Sequence, residues 1–208
     1  MLYCRDMNSD TSTQDTSSSK QENFFIEIIK FALLAALIVI PFRMFIAEPY
    51  IVQGESMSPT FETGNYLIID KFSHRFNTVE RGSTIVFKYP NDPSRFFVKR
   101  VVGLPGETVK VENRNVSIKE VGSDVFIQLE ETYLRVETNG AVEQELTDTQ
   151  YFVMGDNRVN SSDSRFWGPL EAELIKGRTL LRLYPFDKID VFPGSENPFP
   201  LQEEQTTN

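Results

Sequence analysis

One run of residues limits what this chain can become. From Phe24 to Ile46 it is almost wholly apolar, most cleanly over Phe31-Ala32-Leu33-Leu34-Ala35-Ala36-Leu37-Ile38-Val39-Ile40-Pro41-Phe42. A helix of this segment, at about 1.5 Å per residue, is roughly 34 Å long and reaches across a bilayer. Glu27 and Lys30 stand three apart near its start, where they pair or snorkel to the interface. A cleaved signal peptide fits less well, because the polar stretch 1–23 precedes the run and no small-x-small site follows it. A buried soluble helix also fits less well, because the run has no polar face. The reading is a single transmembrane anchor. Its orientation is weakly coded, with Arg5 and Lys20 before it and Arg43 after it.

The 208 residues suffice for that anchor and one catalytic domain with a sizeable core. The formal net charge of -9 argues against a nucleic-acid partner, since a phosphate backbone asks for a basic face. A single cysteine, Cys4, forbids a disulfide within the chain. With His74 the only histidine, an ordinary zinc site is excluded, and no HExxH helix is present. Neither a metal nor a cofactor is expected.

Beyond the anchor the pattern turns to short β-branched and aromatic runs: Tyr66–Asp70, Thr84–Tyr89, Phe96–Val102, Thr108–Val111, Tyr151–Met154 and a last strand at Ile175–Tyr184. Gly64, Gly82, Pro90, Pro93 and Pro105-Gly106 punctuate them, which predicts a mainly β fold. Residues 112–148 are more polar and acidic, with a short alternation at Asn115–Lys119, and read as an inserted, smaller β-rich subdomain. The expected organisation is a disordered tail at 1–23, the anchor at 24–46, a β-rich catalytic domain at 47–193 and a polar tail at 194–208.

Gly54-Glu55-Ser56-Met57-Ser58-Pro59-Thr60 supplies a candidate nucleophile. A serine needs a base, and a lysine serves if apolar surroundings disfavour its ammonium. Lys99, within Phe96-Phe97-Val98-Lys99-Arg100-Val101-Val102, is the best such lysine. Strand alternation sends Arg100 to the opposite face. The alternatives are a turn serine at Ser56 and a solvated strand lysine at Lys99. A Ser-His-Asp triad would instead need His74 beside Ser56 and a carboxylate such as Asp70.

Three blocks together resemble the bacterial type I signal peptidases, membrane-anchored serine proteases that remove signal peptides from exported proteins. They are Gly54–Thr60, Val98–Glu107 and Met154-Gly155-Asp156-Asn157-Arg158-Val159-Asn160-Ser161-Ser162-Asp163-Ser164-Arg165-Phe166-Trp167-Gly168. The resemblance implies a Ser56/Lys99 dyad on a β fold at the extracytoplasmic face of a bacterial plasma or internal membrane. It implies preprotein signal peptides as substrates and lipid as a partner. It further implies that Met57 lies near the binding cleft, that Ser161 hydrogen-bonds the lysine ammonium, and that Asp163 and Arg165 brace the third block. Gly155, Asp156 and Arg158 match that block's scaffold. Gly54 departs from the pattern: some members carry there a Ser or Thr whose hydroxyl helps form the oxyanion hole. Val159, Asn65 and Ser83 are lesser departures.

Two other readings are carried. One is a self-cleaving repressor-type protease with the same Ser/Lys chemistry, which should have a DNA-binding domain where this chain has its apolar run. The other is a non-catalytic anchored β-domain that binds extracytoplasmic peptides.

Overall fold

The computed structural model describes residues 17–45, 47–71 and 79–195. His74, Ile46 and most of the two polar tails lie outside the described residues. The chain divides into two units, residues 1–42 and 43–208.

The first unit holds most of helix α1 (Ser17–Phe45), which begins inside the stretch read as a polar tail. Its apolar side chains face outward: Phe31, Leu33 and Leu37 are 75%, 65% and 71% exposed. Over the described residues alone, no helix is long and apolar enough to cross a membrane.

The second unit is mainly β. In chain order its strands are β1 (Ala47–Ile51), β2 (Tyr66–Asp70), β3 (Thr84–Tyr89), β4 (Asp92–Gly103), β5 (Thr108–Glu112), β6 (Asn115–Lys119), β7 (Ile127–Gln128), β8 (Val142–Glu145), β9 (Gln150–Met154), β10 (Leu170–Glu171), β11 (Ile175–Tyr184) and β12 (Asp190–Val191). A four-residue helix, α2 (Ser164–Trp167), precedes β10. The large sheet runs β1-β2-β11-β3-β4-β9-β10, with β12 on β11, and a second sheet runs β7-β6-β5-β8.

The strands fall where β-branched and aromatic residues cluster, with some differences from the sequence reading. β1 forms over a segment where the sequence analysis predicts no strand; Pro49 within it is tolerated because β1 is an edge strand. β4 starts at Asp92 and runs through Pro93, which sits in a register shift between the pairs Lys88↔Phe96 and Tyr89↔Asp92. β5 belongs to the second sheet, so that sheet begins at Thr108, and Ile175–Tyr184 is followed by one more short strand.

Three apolar clusters fill the interior. Val109, Val111, Val116, Ile118 and Leu146 of the second sheet pack with Val102, Phe152 and Met154 of the large one. Ile85, Phe87, Val101 and Val153 form a second cluster, and Val52, Met57, Phe61, Leu67, Ile69 and Val86 a third. The outer half of β4 is the part that matters for function. Its ladder to β9 begins only at Arg100, so from Asp92 to Lys99 one edge carries no strand partner among the described residues.

Candidate active site

β4 pairs its residues Thr84↔Arg100 and Ile85↔Lys99 with β3, which fixes the direction of two consecutive cations. Alternation sends them to opposite faces. Lys99 points toward the segment after β1, and its Nζ lies 2.7 Å from Ser56 Oγ and 3.0 Å from Val98 O. Arg100 turns the other way, to Asp156.

Lys99 is 3% exposed. Burial disfavours its ammonium and lowers its pKa to about 8, against the opposing pull of the Asp163 and Asp156 carboxylates. The Phe97 ring, two residues back on the same face, lies 5.2 Å from Nζ. Ser56 is half-buried at the end of a groove of about 400 Å³. One wall comes from β1 and the segment after it, the other from Phe96, Phe97 and Val98 on the unpaired part of β4.

The Ser56 turn is held from beneath. Met57 is buried in the third apolar cluster, behind the groove-lining Val52, Leu67 and Val86, and does not itself line the groove. The hydrophobic side chain following the nucleophile serves to root it. From the other side, Asn157 N–H donates to Ser56 O at 3.0 Å. Gly155 packs so closely there that a Cβ would strike both Ser56 O and Ser161 Oγ.

Gly54 has φ +92°, a left-handed conformation that glycine accepts without strain. Its N–H donates to Thr63 Oγ1, and the Thr63 hydroxyl donates back to Gly54 O, each at 3.1 Å. The Gly54 N–H is therefore already committed. The Ser56 N–H has no acceptor among the described residues.

The structure brings the rest of the third block around this pair. Asp163 caps α2, accepts Gly155 N–H at 3.0 Å and is gripped by Arg165 Nε and Nη2, each at 2.8 Å. Burial alone would raise its carboxyl, but the Arg165 bonds outweigh it and the pKa is lowered. This is a buried pair, not the surface salt bridge its i,i+2 spacing also allows. Ser161 Oγ is buried and helps hold Asp163 down, yet it completes no well-formed hydrogen bond among the described residues. The bonds that Lys99 Nζ makes go to Ser56 and Val98, not to Ser161.

Several residues escape the sequence reading. Thr60 donates to Asp156 at 2.5 Å, and Glu131, Tyr133 and Thr138 surround Arg158. Thr60 lies in the first block, but no spacing rule links it to Asp156, and the other three lie in the polar insertion. Among the described residues no three His, Cys, Asp or Glu side chains gather as a metal site.

A hydroxyl and a desolvated amine at this distance, beside a groove with an open strand edge, can perform serine acyl transfer with lysine as the base. The chain is similar to known proteins over most of its length. Residues 25–184 match the family described as signal peptidase, peptidase S26. The chain is 35% identical over 188 residues to the probable signal peptidase I-2 of Synechocystis sp., covering 85% of this chain and 82% of that one. It is 37% identical over 182 residues to signal peptidase I of Leptolyngbya laminosa, covering 83% and 86%. A crystal structure of a signal peptidase I from Enterococcus faecalis superposes with a TM-score of 0.42 at 26% identity, covering 49% of this chain and 97% of that one. The chain belongs to the signal peptidase family, peptidase S26.

Proposed function

We propose that the chain is a membrane-anchored serine endopeptidase that cleaves signal peptides from exported preproteins after small residues, with Ser56 as nucleophile and Lys99 as general base. The observation that carries this reading is the 2.7 Å approach of Lys99 Nζ to Ser56 Oγ at a lysine 3% exposed.

The preprotein's cleavage region lies extended in the groove and adds as a strand to the unpaired edge of β4. Walls of Val52, Leu67, Val86 and Val98 suit small uncharged side chains. Neutral Lys99 takes the Ser56 proton as Oγ bonds to the scissile carbonyl carbon. The Ser56 N–H steadies the developing oxyanion. Lys99 returns the proton to the leaving nitrogen as the C–N bond breaks, which frees the mature protein's amino terminus. Water then attacks the acyl-enzyme and gives Lys99 its proton. Ser56 leaves and recovers a proton, and the signal peptide departs as a carboxylic acid. Asp163 and Arg165 hold the loop that carries Ser161, whose buried hydroxyl completes no hydrogen bond among the described residues at rest and is left to accept from the lysine ammonium once that forms.

The anchor is the apolar run of α1, whose outward Phe31, Leu33 and Leu37 suit lipid. On this reading the enzyme is a single-pass protein in the plasma or internal membrane of a bacterium, with the β unit on the extracytoplasmic side, as the family resemblance implies.

The test is cleavage of an Ala-x-Ala preprotein in detergent by the wild type and by Ser56→Ala. The wild type should process it and the folded variant should not. Near wild-type cleavage by Ser56→Ala would refute the dyad. Binding of the peptide without cleavage by either protein would favour the non-catalytic peptide-binding domain.

A further inference from the structure

The side chain of Arg158 is 0% exposed, and all five of its N–H donors are used. Nε donates to Gly155 O at 3.0 Å. The other four go to the segment that links β7 to β8 in the second sheet. Nη1 reaches Glu131 Oε2 at 2.7 Å and Thr138 Oγ1, while Nη2 reaches Tyr133 OH at 3.0 Å and Glu131 Oε1. Tyr133 OH in turn donates to Glu131 at 2.8 Å. The same segment meets two more arginines, one from β4 and one from α2. The Tyr133 ring lies 4.1 Å from the Arg100 guanidinium carbon, and Asn139 O accepts from Arg165 at 3.0 Å.

Fold stability alone does not call for this arrangement, because a buried ion pair is often replaced by well-packed apolar side chains at no loss. What the saturated guanidinium adds is orientation. It fixes the Gly155 carbonyl, and the turn that starts there carries Asn157 N–H to Ser56 O at 3.0 Å. Arg158 O is fixed as well, by Arg165 Nη2 at 2.8 Å.

We propose that Glu131, Tyr133 and Thr138 of the second sheet are positioning residues for Ser56: they lock Arg158, and through it the Gly155–Arg158 turn, against the nucleophile. This rests on the reading of Ser56 as nucleophile. The second sheet is then a brace for the reaction centre, with no contact to the substrate of its own.

The experiment uses the full chain in detergent with an Ala-x-Ala preprotein, and reads kcat, KM and thermal midpoint for each variant. Glu131→Gln keeps the shape but removes the charge. Its kcat should fall about 10- to 100-fold, the effect of one lost bond to a charged group. Its KM should stay within about twofold, since the groove is untouched. Tyr133→Phe should lower kcat by roughly 3- to 10-fold with the same split. Arg158→Lys keeps the charge and loses the fork, and combined with Glu131→Gln it should be little worse than either alone. Arg114→Gln, which removes an exposed ion pair with Glu137 in the same sheet, should leave kcat unchanged. If Glu131→Gln and Tyr133→Phe lower the thermal midpoint yet keep kcat within twofold where both are folded, the brace is only structural and the proposal is overturned. Should Glu131→Gln not fold, Tyr133→Phe decides by the same criterion. A Ser56→Ala arm separates the two levels: if that variant cleaves, the nucleophile reading itself has failed.

Discussion

Arg100 and Asp156 meet as a two-pronged ion pair, with Nε 2.8 Å from Oδ1 and Nη2 2.6 Å from Oδ2, at side-chain exposures of 1% and 0%. The pair lies on the face of β4 opposite Lys99, so adjacent cations in one strand take separate tasks. One is left beside a hydroxyl with its charge disfavoured, and the other is fully matched. Arg100 also reaches Gly82 O at 2.8 Å and Gly194 O, tying the C-terminal segment to the same hub.

Asp156→Asn should therefore be severely destabilising. It leaves a buried guanidinium without its counter-charge, which costs ~3–5 kcal/mol. Denaturant unfolding reads the loss directly as a lower midpoint at unchanged slope. A change below about 1 kcal/mol would show that water or another acceptor replaces Asp156 readily.

Gly155→Ala should lose activity more than stability. A Cβ there would strike Ser56 O and Ser161 Oγ, and the first is backbone that cannot rotate away. Overpacking of this kind costs ~1–3 kcal/mol, while displacing the nucleophile should cost kcat at least about a hundredfold. An alanine variant within twofold of the wild-type kcat would mean that the turn does not set the position of Ser56.

Ser161→Ala should be slow but not dead. The hydroxyl is buried between Gly155 and Asp163 and exchanges no bond with substrate. A bond that Ser161 makes to the Lys99 ammonium only as it forms in the reaction is worth ~1.5–3 kcal/mol, so kcat should fall about 10- to 100-fold. Unchanged single-turnover rates would reduce Ser161 to a turn residue.

How much of this was legible before the structure depends on which forces act locally. The strands at Tyr66–Asp70 and Thr84–Tyr89 were legible because β-branched residues and flanking glycines act within a few positions. β1 was hidden by Pro49, since edge position is a property of the sheet and not of the segment. Ser56 and Lys99 could be picked out by chemical type, but their 2.7 Å approach across 43 residues depends on the ladder between β3 and β4. Glu131 gave no signal, because a glutamate in a polar, acidic stretch reads as solvated until Arg158 is placed beside it. That Met57 sits in the core behind the groove, packed with Val52, Leu67 and Val86, has no sign in the first block, because those partners come from elsewhere in the chain.

The pH dependence follows from the lysine. Burial lowers the Lys99 pKa from 10.5 to about 8, with Asp163 and Asp156 pulling the other way. At pH 7 roughly a tenth of the enzyme then carries the neutral amine, against less than about 0.1% for an ordinary lysine. Single-turnover cleavage should therefore rise close to tenfold per pH unit below about 8 and level off above it. Lys99→Arg should be inactive throughout, because a guanidinium keeps its proton. Stability should move in the same direction. The folded-state pKa lies below the unfolded one, so the penalty for burying the ammonium is fully present below pH 8 and fades as pH rises toward 10.5. Lys99→Met removes that penalty and should be more stable than the wild type at neutral pH by up to ~3 kcal/mol, while cleaving nothing. A cleavage rate flat from pH 6 to 10 with chemistry limiting, or an active Lys99→Arg, would take Lys99 out of the reaction and leave Ser56 without a base.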